Sequence, residues 1–299
     1  MQIAWLFPGQ GSQKLGMGQD IIELNDAKRR FDLASNVFEK DLYQICGLQT
    51  DNNCDEKSLN NTKNTQICLF LVESILLDSL KSKGYKPDYL AGHSLGEITA
   101  LYAAEVLSFE ECVSLIKIRS ELMSSAVKGS MAALIGFDID ELRNLVESLD
   151  DVVIANDNSS SQVVLSGKRE ELENLSKIIS CKRFIFLNVS GAFHSHFMKE
   201  PSQKFSKYLD DLNFKEPICP VISNSNPTLS RDPNELKIRL KEQMCNGVRW
   251  RETMDLIKVQ GNSIHLVEIG PSNILGGLAK RHLKNIMISQ VSSAKEISY

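Results

Sequence analysis

The chain has 299 residues, 42% of them hydrophobic, enough for one large domain or for a large one carrying a smaller one. Its formal charge is −4, from 34 basic and 38 acidic residues with no long basic run, which excludes a broad electrostatic footprint for nucleic acid. The seven cysteines (Cys46, Cys54, Cys68, Cys112, Cys181, Cys219 and Cys245) are scattered and never spaced CxxC, so neither a disulfide framework nor a metal site is expected, and a reducing cytoplasm is the expected location.

In chain order, Ile3 to Phe7 has the pattern of a buried strand that stops at Pro8, and the glycine-dense "PGQGSQKLGMG" after it is a loop suited to close approach. That loop lacks both the Lys-Ser/Thr ending of a phosphate-binding loop and the dinucleotide spacing. The N-terminus has no basic region ahead of its apolar stretch, and the apolar "ICLFLVESILL" is short and carries Glu73, so neither a signal peptide nor a membrane span is expected. Residues 64 to 83 have helical periodicity, closed by Gly84 and Pro87.

A short strand, "YLAG", then leads into Gly92-His93-Ser94-Leu95-Gly96, the GxSxG spacing of a nucleophile elbow, in which a sharp strand-to-helix turn holds the serine oxygen clear of the sheet. Helical periodicity continues through "EECVSLIKIRSELMSSA", setting Arg119 among apolar neighbours. From Ser130 the pattern becomes β-α-β-β-α-β, that of a ferredoxin-like unit. The expected architecture is α/β: an α/β-hydrolase-like large subdomain over 1–127 and 194–299, with an inserted ferredoxin-like small subdomain over 128–193.

A serine hydroxyl is a poor nucleophile at neutral pH and needs a general base and oxyanion donors. Of five histidines, His93 is expected to point away from its neighbour Ser94, His265 lies in an apolar strand and His282 in a basic stretch. His194 and His196, where the small subdomain rejoins the large one, remain as candidate bases, and spacing does not choose between them. No motif between 94 and 194 supplies a triad carboxylate, leaving a Ser-His dyad oriented by a main-chain carbonyl. The main-chain N–H of Leu95 is the expected first oxyanion donor and the Gln10 loop the second, while Arg119 is suited to fork onto a carboxylate.

The stretches "FPGQGSQ", Thr65-Gln66, "GHSLGE", "RSELM", "IANDNSSSQVVLSG", "GAFHS", "VRW" and "VEIGPSNIL" resemble, in order, the malonyl-CoA:acyl carrier protein transacylases of fatty acid synthesis and the acyltransferases of polyketide synthases. "KIRSELM", "IANDNS" and "LNVSGAFHS" look closest to the discrete acyltransferases that act in trans on polyketide synthases. The resemblance implies ping-pong transfer of malonyl from coenzyme A to Ser94 and then to a carrier protein's phosphopantetheine thiol. It implies His194 as base, Gln10 and Leu95 at the oxyanion, and Arg119 on the malonate carboxylate. Phe193, His93 and Gln66 are implied to bind substrate, Phe193 crowding a 2-methyl branch, and the main chain of Arg249 to orient His194. No cofactor beyond the thioester substrate is implied, and the expected partners are malonyl-CoA and an acyl carrier protein, without nucleic acid or membrane, for a monomeric enzyme. An acyl hydrolase of the same fold and a housekeeping fatty acid transacylase are the alternatives; retention of Arg119 speaks against the hydrolase.

Overall fold

The computed structural model describes residues 1–48, 55–126, 129–189, 191–261, 263–284 and 286–297; the expected boundary at 127/128 and Cys54 lie outside the described residues. Strand β1 (Gln2–Phe7) is followed by helices α1 (Ala27–Phe38), α2 (Leu42–Cys46), α3 (Glu56–Leu59) and α4 (Thr62–Ser82). Strand β2 (Tyr89–Gly92) leads into α5 (Gly96–Ala103) and α6 (Phe109–Ser124). The next segment runs β3 (Ser130–Phe137), α7 (Ile139–Glu147), β4 (Val152–Ser159), β5 (Gln162–Gly167), α8 (Arg169–Ile178), β6 (Cys181–Phe186). The chain then continues through α9 (Lys199–Asp211), β7 (Val221–Ile222), β8 (Leu229–Ser230), α10 (Pro233–Glu242), α11 (Trp250–Val259), β9 (Ile264–Ile269), α12 (Ile274–His282) and β10 (Met287–Val291).

The larger sheet has the order β10-β9-β1-β2-β7-β8, with every pairing parallel except the last. β2 and β9 are buried along their whole length, as strands covered by helices on both faces must be; β2 accordingly reads as an apolar run without alternation, whereas β9 also buries His265 and Glu268. The apolar "ICLFLVESILL" lies in α4, which is buried nearly all round against this sheet and its neighbouring helices. Among the described residues no helix is long and apolar enough to cross a membrane. Helix α6 starts at a capping box, in which the Ser108 side chain accepts from Glu111 N–H and the Glu111 carboxylate accepts from Ser108 N–H.

The β3–β6 segment forms a separate antiparallel sheet of order β4-β5-β3-β6. Its period-2 alternation divides its contacts: Leu134, Val163 and Leu165 pack on Leu142, Leu172 and Leu175 of α7 and α8, whereas Met131, Ala133 and Val164 join the core of the larger body. The face that turns toward the larger sheet therefore meets the carboxyl ends of β1 and β2, where ligand clefts of α/β sheets form.

Candidate active site

Ser94 sits immediately beyond β2 with φ at 53°, a left-handed conformation that a non-glycine residue holds only when its surroundings impose it. Both flanking glycines are required by close approach. A Cβ on Gly92 would lie 1.9 Å from the carbonyl carbon and oxygen of Gly96, and one on Gly96 would lie 2.0 Å from Phe7 O. The glycine loop packs on the same turn, since a Cβ on Gly9 would fall 2.4 Å from His93 O. Asn224, in the loop after β7, pins the elbow: Ser94 N–H donates to its Oδ1 at 2.6 Å, and its Nδ2 donates to Gly92 O at 2.5 Å.

His194 also adopts a left-handed φ, 55°, and brings its Nε2 to 2.8 Å from Ser94 Oγ. Its Nδ1 faces two carbonyl oxygens, Gln243 O at 2.9 Å and Asn246 O at 3.1 Å. Because carbonyls only accept, Nδ1 carries the proton and Nε2 presents a lone pair to the serine hydroxyl. The orienting carbonyls are thus those of Gln243 and Asn246, a correction to the expectation of Arg249. The Arg249 carbonyl is engaged at the start of α11, accepting from Thr253 N–H at 3.1 Å, while its guanidinium pairs with Glu252. His196 lies at the surface with Nε2 3.3 Å from Asp151, away from the serine. Burial, reinforced by the Arg119 charge, holds the His194 imidazole down to about 3, so it is neutral at physiological pH.

Arg119 is 1% exposed. It donates from Nη1 to Gln66 Oε1 at 2.6 Å, and from Nη2 to Gln243 Oε1 at 2.8 Å and to Ser94 Oγ at 3.2 Å. Its buried Nε has no partner. Burial lowers its pKa to about 10, with the Glu97 carboxylate opposing, so it remains a cation. Gln243 is a junction that sequence reasoning missed: its Nε2 donates to Ser94 O at 2.9 Å and to Glu97 Oε2 at 2.8 Å, its Oε1 serves Arg119, and its main chain serves His194. Neither Gln243 nor Asn224 belongs to a local motif, because both act on the elbow from well over a hundred residues away in the chain.

A cavity of about 70 Å³ is lined by Ser94, His194, Gln10, Leu95, Arg119, Phe193, His93 and Gln66, together with Met123, Met131, Asn156, Leu187 and Val189. The structure brings together every sequence-predicted site residue except Arg249 and the alternative base His196. Leu95 N–H, at the start of α5, has no carbonyl one turn earlier in its own helix. The Gln10 side chain donates to Thr62 Oγ1 at 3.2 Å. His93 lines the cavity, but its Nε2 donates to Asn158 Oδ1 at 2.8 Å and its ring stands edge-on to Trp250, which keeps it from acting as the base. A second cavity of about 270 Å³ shares Gln10, His93, Asn156 and Leu187 with the first, and runs between the glycine loop, α12 and the small sheet.

The chain belongs to the acyl transferase domain family, whose pattern matches residues 4–297. It is 42% identical over 298 residues to the malonyl CoA-acyl carrier protein transacylase of Synechocystis, covering 100% of this chain and 99% of that protein. The namesake enzyme of Bacillus subtilis is 38% identical, over 96% of this chain and 93% of its own length. The crystal structure of the Synechocystis enzyme superimposes with a TM-score of 0.95 over 99% of both chains. A malonyl-transacylase solved in complex with a type II polyketide synthase acyl-carrier protein gives 0.92 at 32% identity, over 99% of this chain and 98% of the other.

Proposed function

We propose that the protein is an acyl-carrier-protein S-malonyltransferase that moves malonyl from coenzyme A to a carrier protein's phosphopantetheine thiol through an ester on Ser94. The observation that carries this proposal is one hydroxyl oxygen contacted both by a neutral imidazole at 2.8 Å and by a buried guanidinium at 3.2 Å. The first supplies a base for acyl transfer, and the second selects an acyl group that ends in a carboxylate.

In the first half-reaction Ser94 Oγ attacks the thioester carbonyl while its proton passes to His194 Nε2. The oxyanion is met by the main-chain N–H groups of Leu95 and Gln10. Collapse breaks the C–S bond, His194 returns the proton to the departing sulfur, and coenzyme A leaves. The second half runs the same steps in reverse order with the carrier thiol as nucleophile. Arg119 still has its Nε–H for the malonate carboxylate, and the arriving anion cancels part of the charge that depresses His194, so the dicarboxylic substrate strengthens the base that acts on it. The 270 Å³ cavity is the passage for the pantetheine arm common to donor and acceptor. Nothing beyond the thioester is needed as a cofactor.

Two carrier systems compete for the acceptor role. The stretches "KIRSELM" and "LNVSGAFHS" favour a polyketide carrier served in trans, and a polyketide biosynthesis protein of Bacillus subtilis is 38% identical to this chain, which spans 36% of it. Relatives matched end to end carry the transacylase name, which supports fatty acid synthesis as the second reading. The test is incubation of the enzyme with malonyl-CoA and phosphopantetheinylated carriers of each type, read by intact mass of the carrier. Malonylation of one carrier well ahead of the other assigns the pathway; no malonylation of either rejects the proposal.

A further inference from the structure

Glu268, in β9, is wholly buried and takes no part in the Ser94 reaction. Its carboxylate accepts three main-chain N–H groups of the first turn of α12, Ile274 at 3.0 Å and Leu275 at 3.1 Å on Oε1 and Gly276 at 2.7 Å on Oε2. These are orphan donors that a cap residue ordinarily serves, but the Asn273 side chain makes no capping bond here. Burial pushes the Glu268 carboxyl up to about 7 against these three donors, so above pH 7 it is an anion that complements the helix dipole.

The turn held in this way is a wall of the passage to Ser94. Ile274, Leu275 and Leu278 line the 270 Å³ cavity opposite the small sheet. The connection from β9 to α12 also touches the glycine loop, since a Cβ on Gly270 would lie 2.7 Å from Pro8 Cγ. One strand end therefore references both the helix wall and the loop that carries Gln10.

We propose that Glu268 is a positioning residue for the pantetheine arm: by gripping the start of α12 it sets the width of the passage along which a long thioester reaches Ser94. The identity of the arm rests on the function proposed above, whereas the grip and the wall do not. An amide in place of the carboxylate offers a single acceptor oxygen and turns an NH₂ toward at least one main-chain donor, so the turn loosens while the acyl pocket keeps its shape.

The test compares malonyl-CoA with the malonyl thioester of N-acetylcysteamine, which carries only the sulfur-proximal end of the arm. For Glu268→Gln, assayed at pH 8, the KM for malonyl-CoA should rise severalfold, with kcat unchanged and the short thioester used as well as by the parent enzyme. Glu268→Asp, which keeps the charge, should recover most of the malonyl-CoA affinity. An equal loss on both thioesters, or no change on either, overturns the proposal. If Glu268→Gln does not accumulate as folded protein, Leu278→Ala alters the same wall without touching the carboxylate, and an unaltered ratio of long to short substrate in that variant overturns it equally. Failure of the parent enzyme to use either malonyl thioester would instead reject the function.

Discussion

The main-chain carbonyl of Gln243 lies 2.9 Å from His194 Nδ1, while the amide of the same residue holds Arg119 through Oε1 at 2.8 Å. The imidazole and the guanidinium that meet at Ser94 are therefore both set by one residue at the end of α10. Truncating Gln243 to alanine leaves the carbonyl in place but removes the amide from Arg119, Glu97 and Ser94 O. Such a loss of buried hydrogen bonds should cost about 1–3 kcal/mol in kcat/KM for malonyl-CoA. Arg249→Ala removes an exposed ion pair and should leave kcat/KM within about twofold. Steady-state kinetics on the two variants checks the contrast.

Arg119 has two separable effects. On the proposed function its charge pairs with the malonate carboxylate, so Arg119→Ala should lower malonyl-CoA use by about ten- to a hundredfold relative to acetyl-CoA use. Its charge also disfavours a second cation beside it, and because burial is the larger cause of the depressed His194 pKa, removing Arg119 should raise that pKa above about 3 without restoring the ordinary value. The pH profile of acyl-enzyme formation from acetyl-CoA checks this. The parent should show no acid limb between pH 7 and 5, and the acid limb of the variant should lie at higher pH than that of the parent.

The same burial links His194 to stability. Its folded pKa lies below its unfolded value of 6.5, so below pH 6.5 the unfolded chain binds a proton that the folded protein does not, and folding is disfavoured as pH falls. Buried Glu73, Glu97 and Glu268 are shifted upward and act in the opposite sense, so the effect must be isolated by difference. Relative to the parent, His194→Gln should gain about 2 kcal/mol in urea-unfolding free energy between pH 6.5 and pH 5.

Gly96→Ala would drive a Cβ to 2.0 Å from Phe7 O and 2.7 Å from Phe7 C, main-chain atoms of a central buried strand that cannot withdraw. A loss on the order of 4 kcal/mol is expected, with soluble yield and urea midpoint as the readouts.

The elbow was legible in the sequence because its geometry is local: two glycines, one serine and a strand-to-helix change of period within a few residues. The split sheet was legible for the same reason, each element carrying its own periodicity. The choice between His194 and His196 was not, because the two are neighbours in one loop and only the left-handed turn at 194 sends that ring to Ser94 and leaves the other at the surface. The resemblance pointed to His194, the histidine whose Nε2 lies 2.8 Å from Ser94 Oγ, but placed the orienting carbonyl at Arg249. The residues that accept from His194 lie earlier, where α10 ends and the chain turns back, and no spacing marks which carbonyls face inward there. Asn224 and Glu97 likewise take their importance from contacts across the sheet, Asn224 N–H donating to Glu97 Oε2 at 3.1 Å, which sequence patterns do not encode.

The most direct measurement is the intact mass of the enzyme after brief exposure to malonyl-CoA and, separately, acetyl-CoA, followed over time with and without a phosphopantetheinylated carrier protein. The arrangement of Ser94, His194 and Arg119 predicts a malonyl adduct that maps to Ser94, persists in water, disappears when carrier is added and is absent from Ser94→Ala. An adduct formed preferentially from acetyl-CoA and lost to water without carrier would contradict it and indicate an acyl hydrolase.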